Sequence, residues 1–416
     1  MRPAVLLLLS LAAVTASPPR NPEHETNVNS RYVIETIEVA PQFVSRFSSS
    51  LRDRIEKAVG AQFDQEMLDE ISQRIRDELR NRLVVMKVSR GSKPDHVKVV
   101  FEISTRKSDG DIVVPRLIYH SRQNFSFGLD GNWTPGNHRL SAGILTDNDE
   151  LIERYSGIRG GVGRHKLAAG HLNLDAEVES WRSQWNPAVQ TALTDAPDVP
   201  GIYRTRVHFQ PSATIVFYEP LTLQLGVSFE RLQLQFPAAR HELSSAAFTT
   251  LRFRRRWELT PVSRHEIDSH YDLRSATRTL DSDFVYTRHS ASFQYSWRGR
   301  REEIITSFQG GRIYGRAPLF ERFALGNSRT LRGWNKYDVD PLGGDRMIHG
   351  SFDYRFHWLR LIYDTGSAWR RGAPMKMRHS LAFGVTHKGP SGFSAMVAFP
   401  IREGSIDPVF ITGINF

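Results

Sequence analysis

Residues 221–230 read LTLQLGVSFE. In an extended chain successive side chains point to opposite faces, so Leu221, Leu223, Leu225, Val227 and Phe229 share one side. Thr222, Gln224, Gly226, Ser228 and Glu230 share the other. The segment is a strand with one apolar face. In a soluble double sheet that face meets a second sheet and the polar face meets water. In a membrane barrel the apolar face meets lipid and the polar face lines an aqueous interior. Ten residues are compatible with either, and the decision comes from the rest of the chain.

From Ile112 to Phe416 no helical periodicity lasts more than two turns, and extended segments recur. Sixteen are expected, at 112–121, 124–133, 138–146, 152–164, 167–181, 202–218, 221–236, 246–259, 266–278, 283–298, 301–315, 347–358, 359–370, 377–388, 391–401 and 406–416. That is roughly 19 residues for each strand with its connection, enough for the roughly 9 to 11 residues of a tilted membrane strand. Long connections follow odd-numbered strands: SQWNPAVQTALTDAPDVPG after the fifth, QFPAARHELSS after the seventh and about thirty residues after the eleventh. Short ones mostly follow even strands, as at Glu219-Pro220, at RGR (298–300) and in a near-direct step at Trp358-Leu359. Long loops at one rim and short turns at the other are the plan of an outer-membrane barrel, not of a sandwich. An even strand number also brings both ends of the barrel to the short-turn rim.

Alternation elsewhere agrees. In TTLRFRRRWEL (249–259), Leu251, Phe253 and Trp257 alternate with Arg252, Arg254 and Arg256, which are expected to point inward as a basic patch. Arg255 is sent to the lipid side, tolerable near an interface. In HSASFQYSW (289–297), Ala291, Phe293, Tyr295 and Trp297 face outward. In the closing stretch FITGINF, Phe410, Ile414 and Phe416 share a face. The mean hydropathy of −0.40 looks soluble, but alternation averages out in any hydropathy window.

The chain opens with Arg2, the apolar run AVLLLLSLAAV and the small residues Thr15, Ala16 and Ser17. This pattern predicts a cleaved signal peptide over 1–16, too short to span a bilayer, followed by a segment over 17–31. There is no cysteine, so no disulfide and no lipoprotein anchor. The net charge of +10 on an exported chain is read as facing lipid headgroups or a lumen, with no nucleic acid as partner.

Residues 32–104 have another texture. YVIETIEV reads as a strand, SSSLRDRIEKAVG as a helix with Leu51, Ile55 and Val59 on one face, and FDQEMLDEISQRIRDELR as a second helix. Asp64 caps the second helix, whose apolar face is Leu68, Ile71, Ile75 and Leu79. LVVMKVS and HVKVVFEIS follow as two strands around a polar turn. A small β-α-α-β-β domain is expected, with a linker at 105–111 and the barrel over 112–416.

This organisation resembles the outer-membrane assembly-factor superfamily, also called bacterial surface antigen proteins. The superfamily includes the BamA and TamA insertases and the transporters of two-partner secretion. The 32–104 module resembles their periplasmic POTRA domain. Within the loop 316–346 stands FERFALGNSRTLRGWNKYDVDPLGGDRM. The resemblance implies that Leu331, Arg332, Gly333 and Trp334 form the tip of a plug loop folded back into the barrel. It also implies that Arg332 pairs with Asp364 in the stretch Tyr363, Asp364, Thr365, Gly366. A guanidinium fork holding a carboxylate inside a lumen is physically sensible, and Gly333 would let the backbone turn tightly beside the wall. The final strand resembles the signal by which such barrels are recognised for insertion. One POTRA-like module fits before residue 112, where the insertases carry several, which points to a reduced relative.

No enzyme is legible and no catalytic residue, metal ligand or cofactor is assigned. His265, Glu266 and His270 in RHEIDSH lack the spacing of a zinc motif and are expected in a polar turn. GIRGGVG (157–163) has no helix after it to hold phosphate. The resemblance implies a protein in the bacterial outer membrane, with its small domain in the periplasm. It would assist insertion of outer-membrane proteins or translocation of polypeptide, with lipid, unfolded client polypeptides and periplasmic accessory proteins as partners. The competing reading is a passive, anion-favouring pore or structural barrel.

Overall fold

The computed structural model describes residues 31–44, 47–79, 82–105, 110–146, 149–196, 199–260, 263–387, 392–404 and 407–414. The expected signal peptide, most of the segment to 31, the middle of the linker and Phe416 lie outside the described residues. The chain divides into two units, Met1–Lys107 and Ser108–Phe416.

The first unit is a small α+β fold. It runs β1 (Val33–Val39), α1 (Pro41–Val44), α2 (Ser49–Ala58), α3 (Gln65–Glu78), β2 (Arg82–Arg90) and β3 (His96–Thr105). Its sheet has the order β1-β3-β2, with β1 parallel to β3 and β2 antiparallel to it. The Asp64 carboxylate accepts from the Glu66 amide at 3.0 Å and starts α3. The i, i+3, i+4 series Leu68, Ile71 and Ile75 then closes on Ile34, Leu51 and Val99, all fully buried. Val59 departs from expectation: α2 ends at Ala58, which is buried, and Val59 turns extended and is exposed.

The second unit is a closed antiparallel barrel of sixteen strands. The wall consists of β4 (Gly110–His120), β5 (Asn124–Trp133), β6 (His138–Thr146), β7 (Arg154–Leu167), β8 (Leu172–Gln184), β9 (Ile202–Tyr218), β10 (Leu221–Phe236), β12 (Ala246–Thr260), β13 (Ser263–Ala276), β14 (Val285–Arg298), β15 (Glu302–Arg316), β16 (Arg346–Phe356), β17 (Leu359–Trp369), β18 (Arg378–His387), β19 (Phe393–Ile401) and β20 (Val409–Ile414). Each pairs with its neighbour, and β20 pairs back to β4. A four-residue strand, β11 (Arg240–Leu243), adds to residues 231–234 of β10, above the point where the β10–β12 ladder stops. Closure removes the sheet edges that a sandwich leaves.

The barrel answers the question posed by 221–230. Leu225 and Phe229 stand exposed on the outer surface, while Ser228 and Glu230 are buried inside. Phe293, Phe308, Phe352, Phe383 and Phe410 stand exposed around the same outer surface. So wide an apolar exterior around a closed sheet is a lipid-facing belt. No described helix is long and apolar enough to cross a membrane.

Past Glu230 the alternation inverts. Leu232 and Leu234 turn inward and are buried, while Arg231, Gln233 and Gln235 are exposed on the outside. The strand has left the lipid there, and its inner face meets protein instead of water.

Several local expectations need correcting. RHEIDSH is not a turn: all of it lies in β13, where strand pairing with β12 and β14 satisfies its backbone. His265 faces outward, bonded to the Tyr295 hydroxyl at 2.8 Å and stacked on Trp257, whereas Glu266 faces inward. The turn between β16 and β17 is His357-Trp358, with His357 at a positive φ of 54°. The loop after β8 contains a helix, α4 (Pro187–Thr194), capped by Asn186 and anchored by Val189 and Leu193.

Candidate functional site

The segment 317–345, between β15 and β16, packs inside the barrel wall. It holds a 3-10 turn at Leu319–Glu321 and the short helix α5 (Lys336–Val339). Phe320 and Phe323 join Leu232, Leu234, Tyr203, Phe284 and Tyr286 in one buried cluster. This is why the inner face of β10 turns apolar past Glu230. The wall makes room by omitting side chains. A Cβ on Gly311 of β15 would stand 2.3 Å from the Phe323 ring, and one on Gly366 of β17 would stand 3.1 Å from Leu325.

The tip of this loop is tied to the wall by charge. Arg332 Nη1 donates to Asp364 Oδ1 at 2.8 Å and Oδ2 at 3.0 Å, and the Arg332 amide donates to Oδ2 at 3.0 Å. Arg332 Nε donates to the Ser328 carbonyl at 3.2 Å. Asp364 is 1% exposed and Arg332 9%, so little water competes for this charge-assisted pair, in which Nη1 alone spans both carboxylate oxygens. His349 of β16 completes the site: its Nε2 accepts from the Leu331 amide at 3.3 Å and lies 3.9 Å from Asp364 Oδ1.

The neighbours of the pair differ in detail from expectation. The positive φ falls on Leu331, at 47°, and not on Gly333. Gly333 is needed for space, because a Cβ there would meet the backbone at Phe399-Pro400 at 2.7 Å. Trp334 donates its indole N–H to the His379 carbonyl at 2.9 Å, with the Arg378 guanidinium 5.3 Å from its ring centroid. Tyr363 faces outward, hydrogen-bonded to His379 Nδ1 at 2.8 Å, and does not touch the pair. At the last strand, Phe410 is exposed on the outer face and Ile414 pairs with Leu117 of β4.

Further anchors were not foreseen from sequence. Asp149 accepts from the Ser328 amide at 2.9 Å and hydroxyl at 3.2 Å, and Gln123 donates to the Gly326 carbonyl at 2.7 Å. Lys336, buried, donates to the Leu151 carbonyl at 2.6 Å. Glu321 accepts from Arg274 at 2.8 Å and from the Tyr286 hydroxyl at 3.2 Å. Burial pushes the Glu321 carboxyl up, but Arg274 and Arg288 outweigh it and hold it below the usual carboxylate range. These anchors are single polar residues with no motif around them, and only the folded register shows that they converge.

Beneath Phe320 and Glu321 lies a cavity of about 360 Å³, lined by acids and bases including Arg206, His208, Glu230 and Asp272. Lower in the lumen, Arg252, Arg254 and Arg256 do point inward, but each meets an acid. Arg252 pairs with Asp268 at 2.5 Å, and Arg254 and Arg256 each pair with Glu266 at 2.6 Å. They do not stand as an uncompensated basic patch.

By sequence the chain matches no protein-family model and no curated protein. Its coordinates do match solved structures. The crystal structure of BamA from Haemophilus ducreyi lacking POTRA domains 1-3 aligns with a TM-score of 0.55 at 14% identity, over 92% of this chain and 85% of that one. CdiB from Acinetobacter baumannii aligns with a TM-score of 0.58 at 12% identity, over 92% and 72%. The chain shares its fold with BamA and CdiB. CdiB from Escherichia coli gives a TM-score of 0.50 at 12% identity, over 93% of this chain and 77% of that one.

Proposed function

We propose that this chain is an outer-membrane barrel that assists the insertion of other barrel proteins, or the passage of polypeptide, across that membrane. The observation that carries this reading is the closing seam. Among the described residues the β4–β20 ladder runs from Leu117 to His120, with one further backbone bond from the Ser121 amide to the Phe410 carbonyl at 2.9 Å, whereas β13 and β14 pair from Arg264 to Ala276. A seam held by few backbone bonds is the one that opens most easily, and the backbone N–H and C=O groups it then frees are a template for an incoming strand. In this reading Arg332 and Asp364 hold the plug loop in place while the seam works. The small domain, POTRA-like and periplasmic, offers its edge strands β1 and β2 to extended clients or accessory proteins. Phe410, Ile414 and Phe416 form the signal for the barrel's own insertion. The passive-pore reading is weakened by the acids beside Arg252, Arg254 and Arg256.

The test uses the absence of native cysteine. Tyr119 and Thr412 are register partners across the seam, so Tyr119→Cys with Thr412→Cys allows a reversible staple. The rate at which a urea-unfolded client barrel folds into liposomes is then measured with this protein reduced, oxidised and re-reduced. Acceleration that disappears on oxidation and returns on reduction supports templating at the seam. Equal rates in all three states, with steady ion conductance, would leave a structural barrel.

A further inference from the structure

The outward side chains of β14 to β18 carry a charge pattern that the loop and the seam do not use. On the loop-side half of these strands the outward charged or titratable groups are His289, Arg312, Arg316, Arg346 and His379. The outward carboxylate of this face among the described residues, Glu302, lies at the other end of β15. Two arginines stand directly opposite each other, since Arg312 and Arg346 are register partners, and His289 is the partner of Arg312 on its other side. Directly opposed like charges destabilise a sheet by themselves. Arg312 lies over the Tyr314 ring at 4.4 Å, and no carboxylate lies in ion-pair reach of Arg312 or Arg346 among the described residues.

The position of the pair is as specific as its charge. Two outward positions below Arg312 begins the apolar belt at Phe308, and across the strand Phe352 continues it. Below Arg312 the outward position Gly310 carries no side chain, and a Cβ there would meet nothing nearer than 3.8 Å, while Ile348 stands opposite it below Arg346 and Gly350 lies one row lower beside Phe308. Gly310 therefore leaves a shallow recess in the lipid face directly below Arg312. We infer that Arg312 and Arg346, flanked by His289, form a binding site for a phosphomonoester-bearing lipid of the loop-side leaflet. Its phosphate bridges the two guanidinium groups and an acyl chain starts in the recess over Gly310. A monoester carries about −1.5 to −2 charge near neutral pH and matches two adjacent cations, whereas a phosphodiester matches one. The site is independent of any insertase activity.

The test takes the full chain in dodecyl maltoside micelles and follows its thermal midpoint during titration. The probes are bisphosphorylated lipid A, the same lipid A dephosphorylated, phosphatidylglycerol and inorganic phosphate. Stabilisation is expected with phosphorylated lipid A alone. At roughly 5-fold in affinity per arginine, Arg312→Gln with Arg346→Gln should weaken binding by roughly 25-fold. Arg231→Gln, elsewhere on the outer surface, should leave it unchanged. Without lipid the double variant should be at least as thermostable as the parent, because a like-charge pair is gone. If it does not fold, Arg312→Lys with Arg346→Lys keeps the charge and should lose affinity through the missing fork geometry. Equal stabilisation by the dephosphorylated lipid or by phosphatidylglycerol overturns the proposal. So does stabilisation by inorganic phosphate equal to that by phosphorylated lipid A, which would leave a free-anion site, or an unchanged affinity in the double variants.

Discussion

Replacing Arg332 by alanine removes both guanidinium bonds to Asp364, at 2.8 and 3.0 Å, and leaves a carboxylate that is 1% exposed. What remains to it is the backbone N–H of residue 332 and His349 at 3.9 Å. Stranding one member of a buried ion pair costs about 3–5 kcal/mol. The loop-in state should lose most of that, and a loss of about 3 kcal/mol lowers its population relative to loop-out by about a hundredfold. Asp364→Ala strands the guanidinium instead, with the Ser328 carbonyl and a long contact to Ser351 at 3.4 Å as its remaining partners. The double variant strands neither, so it should cost less than the two singles summed, by about 2–3 kcal/mol of coupling. Amide exchange across 326–336 in the detergent-solubilised chain reads the loop equilibrium directly, and thermal unfolding of the barrel reports that the wall is intact. Additive single costs, or exchange in Arg332→Ala as slow as in the parent, would refute a direct and stabilising pair.

Two further outcomes follow from the same loop. Gly311→Leu should raise amide exchange over 319–325, because its Cβ alone falls 2.3 Å from Phe323 and overpacking of this kind costs about 1–3 kcal/mol. Gly310→Ala, on the outer face with nothing nearer than 3.8 Å, should leave exchange unchanged. Glu321 supplies the pH dependence. Its folded pKa is depressed, so its contribution to loop docking is fully present above the ordinary carboxylate range and is lost as pH falls through the lower folded value. Docking measured by exchange should therefore hold through mildly acidic pH and fail only in stronger acid, and Glu321→Gln should abolish that transition.

The barrel was legible because its physics is local. A wall with lipid outside and water inside imposes a period of two on every strand, and segments such as 124–133 and 221–230 show it from end to end. Where the period breaks, sequence reading failed. The inward Leu232 and Leu234 of β10 are explained by Phe320 and Phe323, some ninety residues away. The helix α4 lies in a run of small and polar residues whose two anchors, Val189 and Leu193, are too few to show a stripe. β11 is four residues long with charged neighbours, and pairing alone makes it a strand. The three lumen arginines were visible as a row, but their neutralisation depends on the register that sets Arg252 and Arg254 beside β13. Arg332 and Asp364 were named through the family resemblance, while His349, a lone histidine with no pattern around it, needed the coordinates.

A wall that carries a water-compatible inner face for most of its height, and then an oil-compatible one packed on its own loop, is a cup and not a pipe. For a cell that relies on this membrane to exclude detergents and antibiotics, the difference is one of leakage. Any working cycle that withdraws the loop uncovers a hole, so its duration is bounded by what the cell can tolerate entering. Variants that loosen the loop should therefore announce themselves as hypersensitivity to large toxic solutes.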